Sequence, residues 1–381
     1  MKKWIWLVLA ILVACAAVVS SGFFRQGEQP SVIETIKVEN PHLGKEDTGT
    51  RGYGDTGNVS LFASSAPQVS ASRLFAHVQN LNFKRYTDAE RSRTRAYITN
   101  ELKKLGWKSQ LQKFSDGVNV FAERKGTDKE AGAILVGAHY DTVAISPGAD
   151  DNASGVAVLL EIARLLGSRP TPRTLQLVFF DQEEAGLLGS KAFVTKTAHL
   201  LKNLRGVIVM DMVGYACHTV GCQQYPAGLP ITPPSDKGDF LAVVGDTEHL
   251  PLLNVFQHLD LVALKPENKR SFDNKNLSVS TLPRVFASIS LPPIFTLPVP
   301  LKGLLTPDTL RSDHAPFWFQ GVGAVLVTDT ANLRSPYYHQ PSDTPKTIDR
   351  KFFTGAAQTV VNVTTVLLEN KKALDTPTSN F

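Results

Sequence analysis

Residues 175–184 read Leu175-Gln176-Leu177-Val178-Phe179-Phe180-Asp181-Gln182-Glu183-Glu184, an apolar run that stops abruptly in acids. Its shortness and its Val and Phe content predict a buried strand rather than a helix. The same figure recurs on both sides. Ile134-Leu135-Val136 predicts a strand that runs through Ala138 into His139, with Asp141 close behind. Val207-Ile208-Val209-Met210 predicts another, ending at Asp211. In between, Val156, Leu159, Leu160 and Ala163 fall at i, i+3, i+4 and i+7, the apolar face of a helix. Ala242-Val243-Val244 and Ala324–Val327 extend the series of strands. Strand and helix in alternation predict an α/β domain around a largely parallel sheet. Upstream, a helix is expected around Tyr86–Leu105, then short strands around Ser109–Phe114 and Val118–Glu123. Residues 215–310 break the rhythm with Pro226, Pro230, Pro233, Pro234, Pro292 and Pro293. They are read as an irregular insertion at the sheet's edge or over the site.

With 43% hydrophobic and 20% charged residues, the chain is globular in composition, which excludes collagen-like, coiled-coil and largely disordered proteins. Its net charge of +5 is spread out, which argues against a nucleic-acid partner and for a mildly basic enzyme. Lys2 and Lys3 precede an apolar stretch from Trp4 to Val19, so residues 1–24 read as a secretory signal or anchor. Within it Leu12-Val13-Ala14-Cys15 resembles a bacterial lipobox, in which Cys15 carries lipid; the apolar continuation through Phe24 suits a spanning anchor instead. Those two versions tether the chain to a membrane, full secretion is the third reading, and all three place the body outside the cytoplasm. Residues 25–68 are polar and Gly/Thr-rich and read as a tether, leaving 69–381 as the folded domain. The formal dinucleotide fingerprint at Gly52–Gly57 has neither strand before it nor helix after it and is set aside. Cys217 and Cys222 are expected to form a small loop disulfide in an oxidising compartment. No second cysteine pair exists to complete a zinc site with them.

Histidines and acids thus stand just past strand ends, where open α/β sheets assemble their sites. Converging carboxylates repel one another unless a cation holds them, and mixed imidazole and carboxylate donors suit zinc. Taken singly, a strand-end Asp caps a helix and a His is a hydrogen-bonded core imidazole. The motifs are longer than caps require. In order they are His139-Tyr140-Asp141-Thr142, Gly148-Ala149-Asp150-Asp151-Asn152-Ala153-Ser154-Gly155, Asp181–Ser190, Met210-Asp211-Met212, Ser312-Asp313-His314 and Tyr338-His339-Gln340-Pro341-Ser342-Asp343-Thr344. This series resembles the zinc exopeptidases of the bacterial leucyl aminopeptidase and aminopeptidase Y type, a family that also contains glutamate carboxypeptidase II and glutaminyl cyclase. The resemblance covers about residues 85–370 and is weakest across 215–310.

The resemblance implies a three-layer α/β/α sandwich around a mixed, largely parallel sheet, with two zinc ions (Zn2+) bridged by Asp151. His139 and Asp211 would complete one ion's protein ligands, and Glu184 and His339 the other's. Asp151, rather than Asp150, aligns with the acid before the family's cis peptide, here Asp151–Asn152. Asp141 would orient His139 by accepting its other ring proton. Adjacent residues point different ways, so Glu183 and Glu184 need different tasks. The family pattern makes Glu184 the ligand and Glu183 the general base toward a water that the metals activate. Asp313 and His314 are assigned to shaping the site. His339, with Pro341 and Asp343-Thr344 behind it, matches the ligand context better than His314.

The activity implied is removal of N-terminal residues from peptides. A carboxypeptidase or dipeptidase would need a basic pocket, for which Arg311 and Arg334 are candidates. A glutaminyl cyclase would use one zinc, and an inactive binding ectodomain would have lost ligands or the base, all of which are present. Gly-x-Ser-x-Gly, phosphate-loop, His-Glu-x-x-His and Cys-x-x-Cys motifs are absent from the sequence.

Overall fold

Eight strands form one sheet: β1 (Ser109–Lys113), β2 (Val118–Arg124), β3 (Ala133–His139), β4 (Thr174–Phe180), β5 (Leu204–Met210), β6 (Leu241–Asp246), β7 (Ile294–Val299) and β8 (Ala324–Thr328). Their spatial order is β1-β2-β4-β3-β5-β8-β6-β7. The central β4, β3, β5 and β8 run parallel to one another, while β2 and β6 lie antiparallel to β4 and β8 respectively. These features come from a computed structural model, which describes residues 67–226, 235–257 and 289–374. The expected anchor, Cys15 and the tether up to residue 66 lie outside the described residues. Among the described residues no helix is long and apolar enough to cross a membrane.

Successive side chains of a strand point to opposite faces, which sorts the sheet into two cores. Val136, Phe179, Ile208, Met210, Val243 and Val327 belong to one. Leu135, Val178, Phe180, Val207 and Val209 belong to the other. Both faces of the central strands are therefore buried, and this is why they read as continuous apolar runs rather than alternating ones. The first face is covered by α1 (Ala71–Asn80), α2 (Asp88–Lys104), α3 (Ala153–Leu166), α6 (Leu250–Gln257) and α8 (Arg350–Glu369), which contribute Leu74, Ile98, Val156, Phe256 and Val360 to its core. The second is covered by α4 (Leu188–Lys196), α5 (Ala198–Leu201) and α7 (Ala315–Phe319), through Phe193, Leu201, Phe317 and Trp318. This is the three-layer α/β/α sandwich that the resemblance implied.

Local chemistry sets the helix starts. Thr87 and Glu90 form a reciprocal capping box, with Thr87 Oγ1 accepting the Glu90 N–H and Glu90 Oε2 accepting the Thr87 N–H, so α2 begins at Asp88. Asp349 accepts the Phe352 N–H at 2.9 Å and starts α8. Cys217 and Cys222 are joined as a disulfide. Residues 215–310, read from the sequence as an irregular insertion apart from the expected strand at Ala242–Val244, carry that strand as β6 and also α6 and β7, which are part of the sheet and its first-face layer. The strand β7 escapes a pattern reading because Pro292 and Pro293 precede it and Pro298 lies within it. A proline is tolerated there because β7 is the sheet's edge and has β6 as its strand partner.

Candidate active site

The strands β4 and β5 flank β3 on opposite sides and run parallel to it, so all three carboxyl ends open into one crevice. His139 ends β3, the Asp181–Glu184 segment follows β4, and Asp211 follows β5. The chain turns sharply after two of these strands, with Gln182 and Met212 in positive φ. Asp151 arrives from the start of α3. The Asp151–Asn152 peptide is cis. Asn152 caps α3 by accepting the Gly155 N–H at 3.0 Å, and its amide donates to the Met210 carbonyl at 2.8 Å. The preceding turn requires glycine: Gly148 has φ +59, and a Cβ there would collide with the Asp151 carbonyl. His339 comes from the loop between β8 and α8, with its ring stacked on that of Tyr338.

These residues meet. His139 Nε2 lies 3.4 Å from Asp151 Oδ1 and 3.5 Å from Asp211 Oδ1. His339 Nε2 lies 3.2 Å from Asp151 Oδ2 and 3.0 Å from Glu184 Oε2. The two oxygens of Asp151 thus face two different histidines. Glu183 clusters with His139 and Asp211, and Glu184 with Asp151 and His339, each set offering atoms within 4.8 Å of one another. The adjacent glutamates divide between the clusters. Behind them, Asp141 Oδ1 is 3.5 Å from His139 Nδ1, and the same carboxylate accepts the N–H groups of Glu183 and Glu184 at 3.0 and 3.2 Å.

The electrostatics follow from crowding acids into a buried crevice. Burial, then Asp211, Asp313 and Glu184, raise the Glu183 carboxyl well above its ordinary range against the pull of His139. Burial and Asp151 push Glu184 up to about 7. Burial opposes charge on His339, yet the Asp151 and Glu184 carboxylates beside its ring carry it to about 10. Both ring nitrogens of His139, Oδ2 of Asp151 and Oε1 of Glu184 are buried without a hydrogen-bond partner. Unpaired buried polar atoms are costly, and divalent cations placed among them would resolve both the missing partners and the like charges. Imidazole with carboxylate is a zinc donor set, so the residues present fit one ion in each cluster.

Other residues named from the sequence have different surroundings. His314 is buried, has Nε2 2.8 Å from the Thr309 carbonyl and packs edge-on against Trp318; burial holds its imidazole down to about 4. Asp313 is wholly buried, and burial pushes it up to about 7. Arg334 is occupied, donating to Gln223 Oε1 and to the Phe240 carbonyl, each at 2.8 Å. Arg311 lines the cavity and donates to Tyr338 Oη at 3.1 Å and Asn332 Oδ1 at 3.3 Å. Sequence reasoning missed Arg85. Its fully buried guanidinium donates to the carbonyls of Tyr140, Pro147 and Gly148 at 2.7–2.8 Å, tying the loop after β3 to the turn before α3. Burial lowers it to about 10, which still leaves it charged at neutral pH. Nothing in its local pattern separates it from neighbouring Lys84, so no sequence signal could have found it.

A cavity of about 700 Å³ opens beside the clusters. Its floor is the second face of the outer strands, where cross-strand neighbours Val244, Leu297 and Leu326 line it together with Phe240 and Phe295.

The profile of peptidase family M28 matches residues 119–231, a span that includes His139, Asp141, Asp151, Glu183, Glu184 and Asp211 but not His339. The chain is 32% identical over 248 residues to the uncharacterized protein YfbL of Escherichia coli (strain K12), covering 62% of this chain and 67% of that protein. It is 44% identical over 87 residues to aminopeptidase YwaD of Bacillus subtilis (strain 168), covering 23% of this chain and only 19% of that enzyme. Among solved structures, its fold is similar to that of the aminopeptidase from Aneurinibacillus sp. strain AM-1. The TM-score is 0.57, at 16% identity over 79% of this chain and 95% of that one.

Proposed function

The chain belongs to peptidase family M28, and from that premise we propose that it is a zinc-dependent aminopeptidase with a two-ion centre. The observation that carries this reading is Asp151, one carboxylate whose two oxygens face His139 and His339 and so join two ligand clusters. His139 and Asp211 would hold one ion, Glu184 and His339 the other, and Asp151 both. Bound there, zinc supplies Lewis acidity toward a water and a peptide carbonyl.

The chain's own groups supply the rest. Asp141 orients His139 and fixes the backbone of both glutamates through their N–H groups. Glu183 takes a proton from the attacking water on its carboxylate and returns it to the leaving amine. Asp151, Glu183, Glu184 and Asp211 all line the cavity, so a peptide bound there meets the proposed centre directly. Arg334, one of two candidates for a carboxylate pocket, already has its donors engaged. The apolar floor receives a substrate side chain and excludes water.

A strong chelator should abolish hydrolysis of aminoacyl substrates and zinc should restore it, with two zinc per chain by metal analysis. N-acetylated peptides should resist. If they are instead trimmed from the carboxyl end, the enzyme is a carboxypeptidase on the same centre.

The same reading has the domain outside the cytoplasm, held by residues 1–24 or by a lipid on Cys15; the Cys217–Cys222 disulfide is consistent with an oxidising compartment. Cys15→Ser should release the protein from membranes if lipid holds it and leave it bound if residues 1–24 span. Recovery of the wild type in the cytoplasmic fraction, with Cys217 and Cys222 reduced, would overturn both versions.

A further inference from the structure

Two acidic pairs, Asp150-Asp151 and Glu183-Glu184, contribute Asp151, Glu183 and Glu184 to the proposed centre, and each pair is gripped by one carboxylate from elsewhere in the chain. Asp141 holds Glu183-Glu184 through both backbone N–H groups. Asp343 does the same for Asp150-Asp151: its Oδ1 accepts the Asp150 N–H at 2.9 Å and its Oδ2 accepts the Asp151 N–H at 3.1 Å. The Asp343 carbonyl takes the preceding N–H, that of Ala149, at 3.2 Å. Three successive N–H groups ahead of the cis peptide therefore end on one fully buried residue. Asp343 also closes the turn that carries His339, donating its own N–H to the Gln340 carbonyl at 3.1 Å.

A carboxylate that accepts two consecutive backbone N–H groups fixes both the position and the tilt of the peptide plane between them, with charge-assisted bonds. Asp151 needs that control, because its side chain must meet His139 on one oxygen and His339 on the other. Such constellations tolerate displacements of only about 0.5 Å. We propose that Asp343 is the positioning residue of the shared carboxylate, locking the Asp151 backbone in register with the His339 loop. The proposal rests on the two-ion reading above. Asp343 acts through Asp151 and has no contact with substrate in this role.

The test measures zinc affinity of the full chain by competition with a chromophoric chelator, beside thermal unfolding. Asp343→Asn keeps the side chain's size but sets an amide N–H2 against one of the two backbone N–H groups. Glu161→Gln is the control: Glu161 is also fully buried and also accepts a backbone N–H, that of Ser70 at 2.7 Å, but its partners are Ser70 and Arg164 and not a proposed ligand. Asp343→Asn should weaken binding of both ions by about 10–100-fold, and at saturating zinc it should show reduced kcat with KM little changed. Glu161→Gln should lower the unfolding temperature and leave zinc affinity unaltered. Asp343→Asn with wild-type zinc affinity, whatever its stability, would overturn the positioning role and spare the metal centre. A wild-type chain that binds no zinc would overturn the centre itself. If Asp343→Asn does not accumulate folded, Asp343→Glu, with both acceptors on a stem one methylene longer, decides: weaker zinc binding supports the proposal and wild-type binding refutes it.

Discussion

The inner and outer halves of the sheet are built from similar apolar residues and do different work. In the inner half, β4, β3 and β5 have helices on both faces, and their shared carboxyl ends present His139, Glu183, Glu184 and Asp211. In the outer half, β6 and β8 send Val243, Val325 and Val327 into the first core and Ile294 of β7 packs against it, while Val244, Leu297 and Leu326 line the cavity. The inner strands are buried along both faces, whereas on the outer strands the second-face core, which includes Val244, Val299 and Ala324, gives way to the cavity wall. In the proposed function, chemistry and recognition are separated along one continuous sheet.

That division would fail first at the glutamates. Glu183→Gln should lower kcat by roughly 10²–10⁴-fold, the range for a general acid–base group, with both zinc ions retained. Glu184→Gln should instead lose one zinc and partly recover at high zinc concentration. Metal content measured beside rate separates the two, and zinc loss confined to Glu183→Gln would reverse their roles.

A pair of truncations tests the halves directly. Ile208→Ala, in the fully buried β5, should cost about 2–5 kcal/mol in urea unfolding. Leu297→Ala, on the cavity floor, should cost much less in stability and raise KM about tenfold for substrates with bulky apolar N-terminal residues. Equal stability losses with no change in substrate preference would show that the outer face is ordinary core.

The smallest effect lies at the end of β6. His249 Nδ1 sits 2.9 Å from the Asp246 carboxylate, and that hydrogen bond, against the opposing pull of burial, raises the imidazole above its ordinary 6.5. A raised folded value means the pair stabilises fully below the unfolded pKa and loses that contribution as pH rises through the folded one. The difference in unfolding temperature between wild type and His249→Gln should therefore shrink as pH rises from slightly acid into the alkaline range. A difference that is constant or grows would remove the ion pair from the account.

The central strands could be read from the chain because burial on both faces leaves its mark within a handful of residues, as in Leu175–Phe180 and Val207–Met210. The acids after them were readable for the same local reason: they begin where the apolar run ends. The helix through Val156 and Ala163 was readable by its period, and the ligand set by its resemblance to a family. Folding alone put β7 at the edge of the sheet despite its prolines, buried Arg85 among carbonyls, and turned the two oxygens of Asp151 toward histidines from opposite ends of the domain. It also brought Asp343 onto the N–H groups of Asp150 and Asp151. Periodicity is a property of neighbours in the chain. A carboxylate's partners are set by distance in space, which depends on strand order and register that no short stretch encodes.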